Sequence, residues 1–308
     1  MKNIFLAPTT FGQFSDSPKI LLDQNGYDIF TNQLGRKLES SEIVELAKES
    51  VGIIAGTEPY TKEVLQKLPH LKVISRLGVG MDNIDLETAK AMDIKVYKTQ
   101  TTPAQAVAEL VVGLMIDVGR KISNQFIELK NGTWNKQMGE LLHGKTLGII
   151  GLGTIGKTLV KLTKGFDFNV LAFDIFHDEE FTVENNVTYC SLNKLLSESD
   201  IISTHLNLSE NNIGLMGEKQ FAIMKPSSIF INTSRGEVVD EKALYHALKS
   251  KGIGAAGIDV FQKEPYKGQL KDLKNVVLTP HIGSYAKEIR IQMEIEATKN
   301  LINGLENE

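Results

Sequence analysis

The chain has 308 residues, with 34 Lys and Arg against 38 Asp and Glu, a formal charge of −4 and 42% hydrophobic residues. A length of this order suggests two domains of about 150 residues each. The composition is that of an ordinary globular protein, which excludes a wholly disordered chain, a collagen and a coiled coil. The acidic balance offers no overall basic excess for nucleic acid. No apolar run approaches the roughly 20 residues of a membrane span, and the N-terminal one is too short for a signal peptide. The single cysteine, Cys190, excludes an intramolecular disulfide framework and a zinc site built on several cysteines, and no metal is expected. It lies in a strand-like run over 187–190 and reads as a buried structural thiol. These features point to a cytoplasmic protein with no nucleic-acid or membrane partner.

In chain order the pattern is strand, Gly-rich or polar turn, helix, repeated. Such alternation predicts an α/β protein with parallel sheets and helices on both faces. The first third predicts strands over 3–7, 51–55, 71–75 and 95–97, and helices over 19–24, 41–48, 62–67 and 85–91. Ser40 or Ser41 reads as the cap of the second helix. Thr102-Pro103-Ala104-Gln105 reads as a capping Thr, Pro at the first helical position and Gln at the third. It opens an apolar helix reaching Val118, and a buried helix linking two domains is one reading of it. Six strands follow, over 145–150, 169–173, 201–206, 228–233, 254–260 and 276–278, the number found in a dinucleotide-binding sheet. Helices are predicted over 155–164 and 241–249, the latter capped by Asp240. A tail helix over 286–305 carries Ile289, Met293, Ile295, Ala297, Leu301 and Ile302 as its apolar set.

Gly151-Leu152-Gly153-Thr154-Ile155-Gly156 fits G-x-G-x-x-G in the context that gives it meaning. It follows an apolar strand, opens a helix, and is followed by a second strand ending in Asp174. Gly151 permits the tight turn, Gly153 lets a pyrophosphate approach the backbone, and Gly156 lets the helix pack on the sheet. The helix N-terminus, including Thr154 and Ile155, offers free N–H groups to the phosphates. Asp174 would accept from the ribose hydroxyls and repel a 2′-phosphate, and no Arg follows it, so NAD is expected over NADP.

Arg235, Glu264 and His281 each stand at or just beyond the C-terminal end of a predicted strand, where open α/β sheets bind ligands. Singly, each has a plain reading: a helix-start phosphate contact, a loop carboxylate, a loop cap. Together their chemistry is complementary. His can exchange a proton at neutral pH, a carboxylate can orient it, and Arg can hold a carboxylate or polarise a carbonyl. The set suits reversible oxidation of a 2-hydroxy acid.

Further motifs are Ser75-Arg76-Leu77-Gly78-Val79-Gly80-Met81-Asp82-Asn83, Asn232-Thr233-Ser234-Arg235-Gly236-Glu237, Gly257-Ile258-Asp259-Val260-Phe261, Glu264-Pro265 and Thr279-Pro280-His281-Ile282-Gly283-Ser284. With the glycine loop, they make the chain resemble the D-isomer-specific 2-hydroxyacid dehydrogenase family, most closely its short phosphoglycerate dehydrogenases. The resemblance implies two doubly wound parallel-sheet domains, a Rossmann NAD-binding domain over 99–283 and a flavodoxin-like substrate domain over 1–98 and 284–308. It implies Arg235, Glu264 and His281 as catalytic residues. It places Arg76, Leu77, Gly78, Val79 and Gly80 on the loop that clamps the substrate carboxylate. Thr102, Thr233, Ser234, Asp259 and Gly283 fall near positions that line the NAD site. Closure of the domains would exclude water from hydride transfer. A homodimer is implied, with the region around Trp134 at its interface. The favoured substrate is 3-phospho-D-glycerate, in serine biosynthesis, and hydroxypyruvate, glyoxylate or D-lactate is the alternative. A phosphorylated substrate needs a further cation, for which Arg76, Lys62 and Lys98 are candidates. The length leaves no room for a regulatory domain. Outside the enzymes, a dinucleotide-sensing corepressor-like protein is the distant alternative.

Overall fold

The computed structural model describes residues 2–306. The chain divides into two compact units. The first runs to Thr102 and resumes at Tyr285; the second is Pro103–Ser284.

The first unit holds a parallel sheet of β1 (Asn3–Leu6), β2 (Asp28–Thr31), β3 (Gly52–Ala55), β4 (Val73–Arg76) and β5 (Lys95–Lys98), in the order β2-β1-β3-β4-β5. This is a flavodoxin-like strand order, and its direction reverses between β1 and β3, which marks the ligand crevice at the C-terminal ends of those strands. One face is covered by the helices Ser40–Ala47, Lys62–Leu65 and Leu86–Ala91, through Ile43, Val64, Leu65 and Ala89. The other face is covered by Ser17–Gln24 and by the tail helix Lys287–Glu306, which buries Met293, Ala297, Leu301 and Ile302.

β2 is missing from the sequence expectation. It is a four-residue edge strand paired only with β1 and alternating between exposed and half-buried, so it carries almost no hydrophobic signal. The tail helix also holds an interior ion pair that its periodicity does not announce. Arg290 Nε donates to Glu294 Oε1 at 2.8 Å, and Glu294 Oε2 accepts from the Gly12 amide at 2.9 Å. These side chains are 6% and 1% exposed. With each charge paired and hydrogen-bonded, burial is tolerable, while removal of one partner would strand the other.

The second unit holds seven parallel strands: β6 (Thr146–Ile150), β7 (Asn169–Phe173), β8 (Val187–Tyr189), β9 (Ile201–Thr204), β10 (Ile229–Asn232), β11 (Ala255–Ile258) and β12 (Val276–Leu278). Their order is β12-β11-β10-β9-β6-β7-β8, with the reversal between β6 and β9. The additional strand is β8, at the edge beyond β7. Its edge position leaves Cys190 half-buried rather than buried, with partial burial pushing the thiol pKa up. The helix Ala104–Arg120 lies wholly in this unit and packs Val111, Leu114 and Met115 into its core, so it is no linker.

Two caps differ from expectation. Val107 N bonds to Pro103 O at 2.9 Å, so Pro103 itself is the cap of that helix and Thr102 lies outside it. Gln105 bonds Glu109 instead of closing a capping box. The first helical bond runs to Pro103 O rather than Thr102 O, which sets the start one position later. The helix Ser40–Ala47 is capped by Glu39, whose amide donates to Glu42 at 2.8 Å. Asp240 does cap Glu241–Lys249, accepting from the amides of Lys242 and Ala243.

Candidate active site

The glycine loop runs from the end of β6 into the helix Thr154–Leu162, beside the strand-order reversal. Its three glycines are needed for three different reasons. Gly151 has φ +96°, and a Cβ there would lie 2.7 Å from the carbonyl of His205. At Gly156 a Cβ would lie 2.5 Å from the carbonyl of Gly151 and 3.1 Å from Ile149 on β6. At Gly153 it would meet nothing within 4 Å, so no protein contact demands glycine there. Gly153 is the helix cap and supplies no side chain, leaving first-turn amides at Thr154 and Ile155 open. Asp174 follows β7 and accepts from Leu152 N at 2.7 Å and Phe176 N at 3.0 Å. A carboxylate has about four acceptor sites, so both oxygens can still take a further donor.

Three loops at the ends of β10, β11 and β12 carry the candidate reactive side chains, Arg235, Glu264 and His281. His281 has φ +56° and its amide donates to Asp259 O at 2.9 Å. Its Nδ1 stands 3.0 Å from both oxygens of Glu264. Those side chains are 37% and 20% exposed. Asp259 builds this loop from beneath. It is fully buried, and its carboxylate accepts from Thr279 Oγ1 at 2.6 Å, Ile282 N at 2.8 Å and Gly283 N at 2.9 Å. Burial pushes its pKa above the ordinary value, against those bonds. Arg235 is extended, and its Nη1 donates to Ser234 O at 2.8 Å. Asn232 holds its backbone, donating to Arg235 O at 3.0 Å while accepting from Ser234 N, Ser234 Oγ and Thr204 Oγ1. A Cβ on Gly236 would stand 2.0 Å from Phe261 C, so glycine alone lets the Arg235 loop close on the segment leading to Glu264.

In the first unit, Gly78 has φ +150° and follows β4. A Cβ there would lie 2.5 Å from Arg76 Nη1, because the guanidinium folds beneath the loop. Arg76 is 8% exposed, donates to Leu77 O and bonds Asn83 Oδ1 at 3.3 Å. Its guanidinium is thus engaged by its own loop. Lys62 is exposed at the start of its helix, and Lys98 ends β5 half-buried.

Residues 112–283 match the family model for the D-isomer specific 2-hydroxyacid dehydrogenase, NAD binding domain. The chain belongs to this family. A glyoxylate reductase of Thermococcus litoralis is 42% identical over 256 residues, covering 80% of this chain and 77% of that protein. A D-3-phosphoglycerate dehydrogenase of Methanocaldococcus jannaschii is 38% identical over 278 residues, 89% of this chain and 52% of that protein. Among solved structures, the apo form of Escherichia coli D-lactate dehydrogenase superposes with a TM-score of 0.88 at 28% identity, covering 100% of this chain and 98% of that one.

As a member of the D-isomer specific 2-hydroxyacid dehydrogenases, the protein is an NAD-dependent oxidoreductase acting on CH–OH. Its second unit fits the dinucleotide on observations of its own. Space is open over Gly153, and among the buried atoms with no protein partner are Thr233 Oγ1 and His205 Nε2, just beyond the ends of β10 and β9. Leaving such atoms unpaired is costly unless a ligand completes them. Burial drives the His205 pKa down to about 4, so the ring is neutral and can accept or donate. Ile175 and Phe176 are 81% and 80% exposed and offer no cation for a 2′-phosphate. His177 stacks on Tyr189 at 4.0 Å and stands 3.6 Å from Glu179. Sequence reasoning missed Asn232 and His205. Both stand at strand ends, but only burial distinguishes them from ordinary polar residues.

Proposed function

We propose that the protein interconverts a small, unphosphorylated 2-oxo acid of the glyoxylate or hydroxypyruvate kind and its D-2-hydroxy acid. The 3.0 Å approach of His281 Nδ1 to Glu264 carries this reading. Glu264 accepts from Nδ1–H, which fixes the ring and leaves Nε2 to exchange the substrate proton. NAD, when bound, supplies the hydride acceptor or donor. His281 Nε2 takes the hydroxyl proton during oxidation and returns it to the carbonyl oxygen during reduction. The paired carboxylate stabilises the imidazolium formed in between. Arg235 polarises the carbonyl or holds the carboxylate by charge-assisted bonds.

In the second unit, Gly151, Gly153, Thr154, Ile155 and Gly156 are assigned to the pyrophosphate and Asp174 to the ribose. Thr233 and Ser234 are assigned to the nicotinamide end, and Asp259 and Gly283 to supporting the His281 loop. Thr102, at the boundary between units, keeps its assignment to the cofactor. In the first unit, Leu77, Gly78, Val79 and Gly80 are assigned to the substrate carboxylate. Arg76 serves that loop from below.

The unphosphorylated substrate is favoured because Arg76 is engaged by its own loop. A panel read by NADH absorbance tests it, with glyoxylate, hydroxypyruvate, pyruvate, 2-oxoglutarate and phosphohydroxypyruvate. The highest kcat/KM is expected for glyoxylate or hydroxypyruvate. A best rate with phosphohydroxypyruvate would overturn the substrate assignment, and no turnover with any would overturn the whole reading. A homodimer is proposed through the apolar side chains exposed after Arg120, among them Phe126 at 60%, Trp134 at 80%, Met138 at 88% and Leu141 at 74%. A monomer in light scattering would contradict it.

A further inference from the structure

The loops after β3 and β4 treat their backbone amides in opposite ways. After β4, the amides of Val79 and Gly80 donate to no protein acceptor among the described residues, and Val79 is 42% exposed. After β3, the Gly56 amide is already taken. It donates at 2.8 Å to Oε2 of Glu58, a residue only 4% exposed. The strands are neighbours, with Ala55 opposite Arg76, and Leu77 N continues the ladder to Ala55 O at 2.8 Å. The two loops thus lie side by side at the ligand-binding edge of the sheet. Open amides in such loops form anion positions.

We propose that Glu58 is a specificity-determining residue. Its carboxylate fills the second of two adjacent anion positions, so this unit admits acids with one anionic group and rejects those with an added phosphate or carboxylate. The proposal rests on the assignment of Leu77–Gly80 to the substrate carboxylate.

The internal anion is held by dedicated packing. Both Glu58 carboxylate oxygens lie 2.8 Å from where a Gly56 Cβ would stand, so only glycine lets the side chain fold back. Asn83 fixes the loop, donating to Gly56 O at 3.1 Å and Glu58 O at 2.7 Å, while its own carbonyl accepts from Tyr60 N at 2.8 Å. Through Oδ1 the same Asn83 accepts from Arg76, keeping that cation under the β4 loop. A second anionic group arriving here meets a buried negative charge with little water to screen it. Selectivity arises from repulsion of the wrong substrate rather than added attraction to the right one.

The test compares hydroxypyruvate with phosphohydroxypyruvate, which differ only by the phosphate. Glu58→Gln keeps an acceptor for the Gly56 amide and removes the charge. The kcat/KM ratio is expected to move toward the phosphorylated acid by about tenfold or more. Glu58→Asp, which keeps the charge, is expected to leave the ratio near that of the unmodified protein. An unmoved ratio in folded Glu58→Gln overturns the proposal. If circular dichroism shows that variant unfolded, competitive inhibition of the unmodified protein decides. D-glycerate is expected to bind about tenfold more tightly than 3-phospho-D-glycerate. Equal or tighter binding of the phosphorylated acid overturns the proposal. Turnover with an unmoved ratio removes the Glu58 role alone, whereas no turnover with any 2-oxo acid removes the function beneath it.

Discussion

Both sheets present loops at the C-terminal ends of their parallel strands, but they leave different things unfinished. The larger unit keeps open space over Gly153 and leaves Thr233 Oγ1 and His205 Nε2, among other buried polar atoms, without protein partners. The smaller unit leaves Tyr60 Oη and Thr99 Oγ1 unpartnered but engages several groups at its strand ends internally. Glu58 takes the Gly56 amide, Asn83 bridges two loops, and Arg76 is folded under Gly78. A unit that binds a large cofactor must leave many groups for the ligand. Under the proposal for Glu58, a unit that selects a small acid gains more by removing surplus binding positions.

The largest effect should come from the reactive pair of the larger unit. His281→Ala is expected to lower kcat by about a thousandfold while NADH binding, read by fluorescence, survives. Turnover equal to the unmodified protein would sink the acid–base assignment. Next come two glycines of one loop that are needed for different reasons. Gly156→Ala forces a Cβ against the Gly151 carbonyl and should cost roughly 1–3 kcal/mol of stability. Gly153→Ala meets no protein atom, so its stability should change by less than about 0.5 kcal/mol. Its dissociation constant for NADH should nonetheless rise about tenfold, because the methyl occupies ligand space. A destabilised Gly153→Ala with unaltered affinity would show that the space is not the cofactor's.

The smallest effect is a pH slope. The His205 pKa lies at about 4 in the folded protein against 6.5 ordinarily. Between those values the unfolded chain binds a proton that the folded chain does not, so stability rises with pH there. It is complete above 6.5 and is lost as pH falls toward 4. In His205→Gln the melting temperature should fall less steeply across that range. Identical slopes would mean that the ring is not buried without a partner.

Legibility followed the range of the interactions. The glycine loop, Asp174 and the Asp240 cap are contained in short stretches whose backbone demands are visible in the residues themselves. Arg235, Glu264 and His281 were readable because each follows an apolar strand. The edge strand β2 is not legible because it is short and little buried, which removes the periodicity that marks a strand, while 187–190 reads as strand-like but not as a member of the sheet. Glu58 looks like a solvated loop charge, and Arg290 and Glu294 look like the polar face of a helix. Nothing in their spacing shows that all three are buried.

By itself the sequence determined the two α/β units, the glycine loop and the candidate reactive residues, because local geometry and side-chain chemistry suffice for these. Tertiary structure decided which polar groups lose water. Burial turns Glu58 onto the Gly56 amide and Arg76 onto its own loop, and it leaves Thr233 and His205 without protein partners. The strength of each charge and each unpaired atom depends on that loss of solvent, and solvent is excluded only by residues distant in the chain.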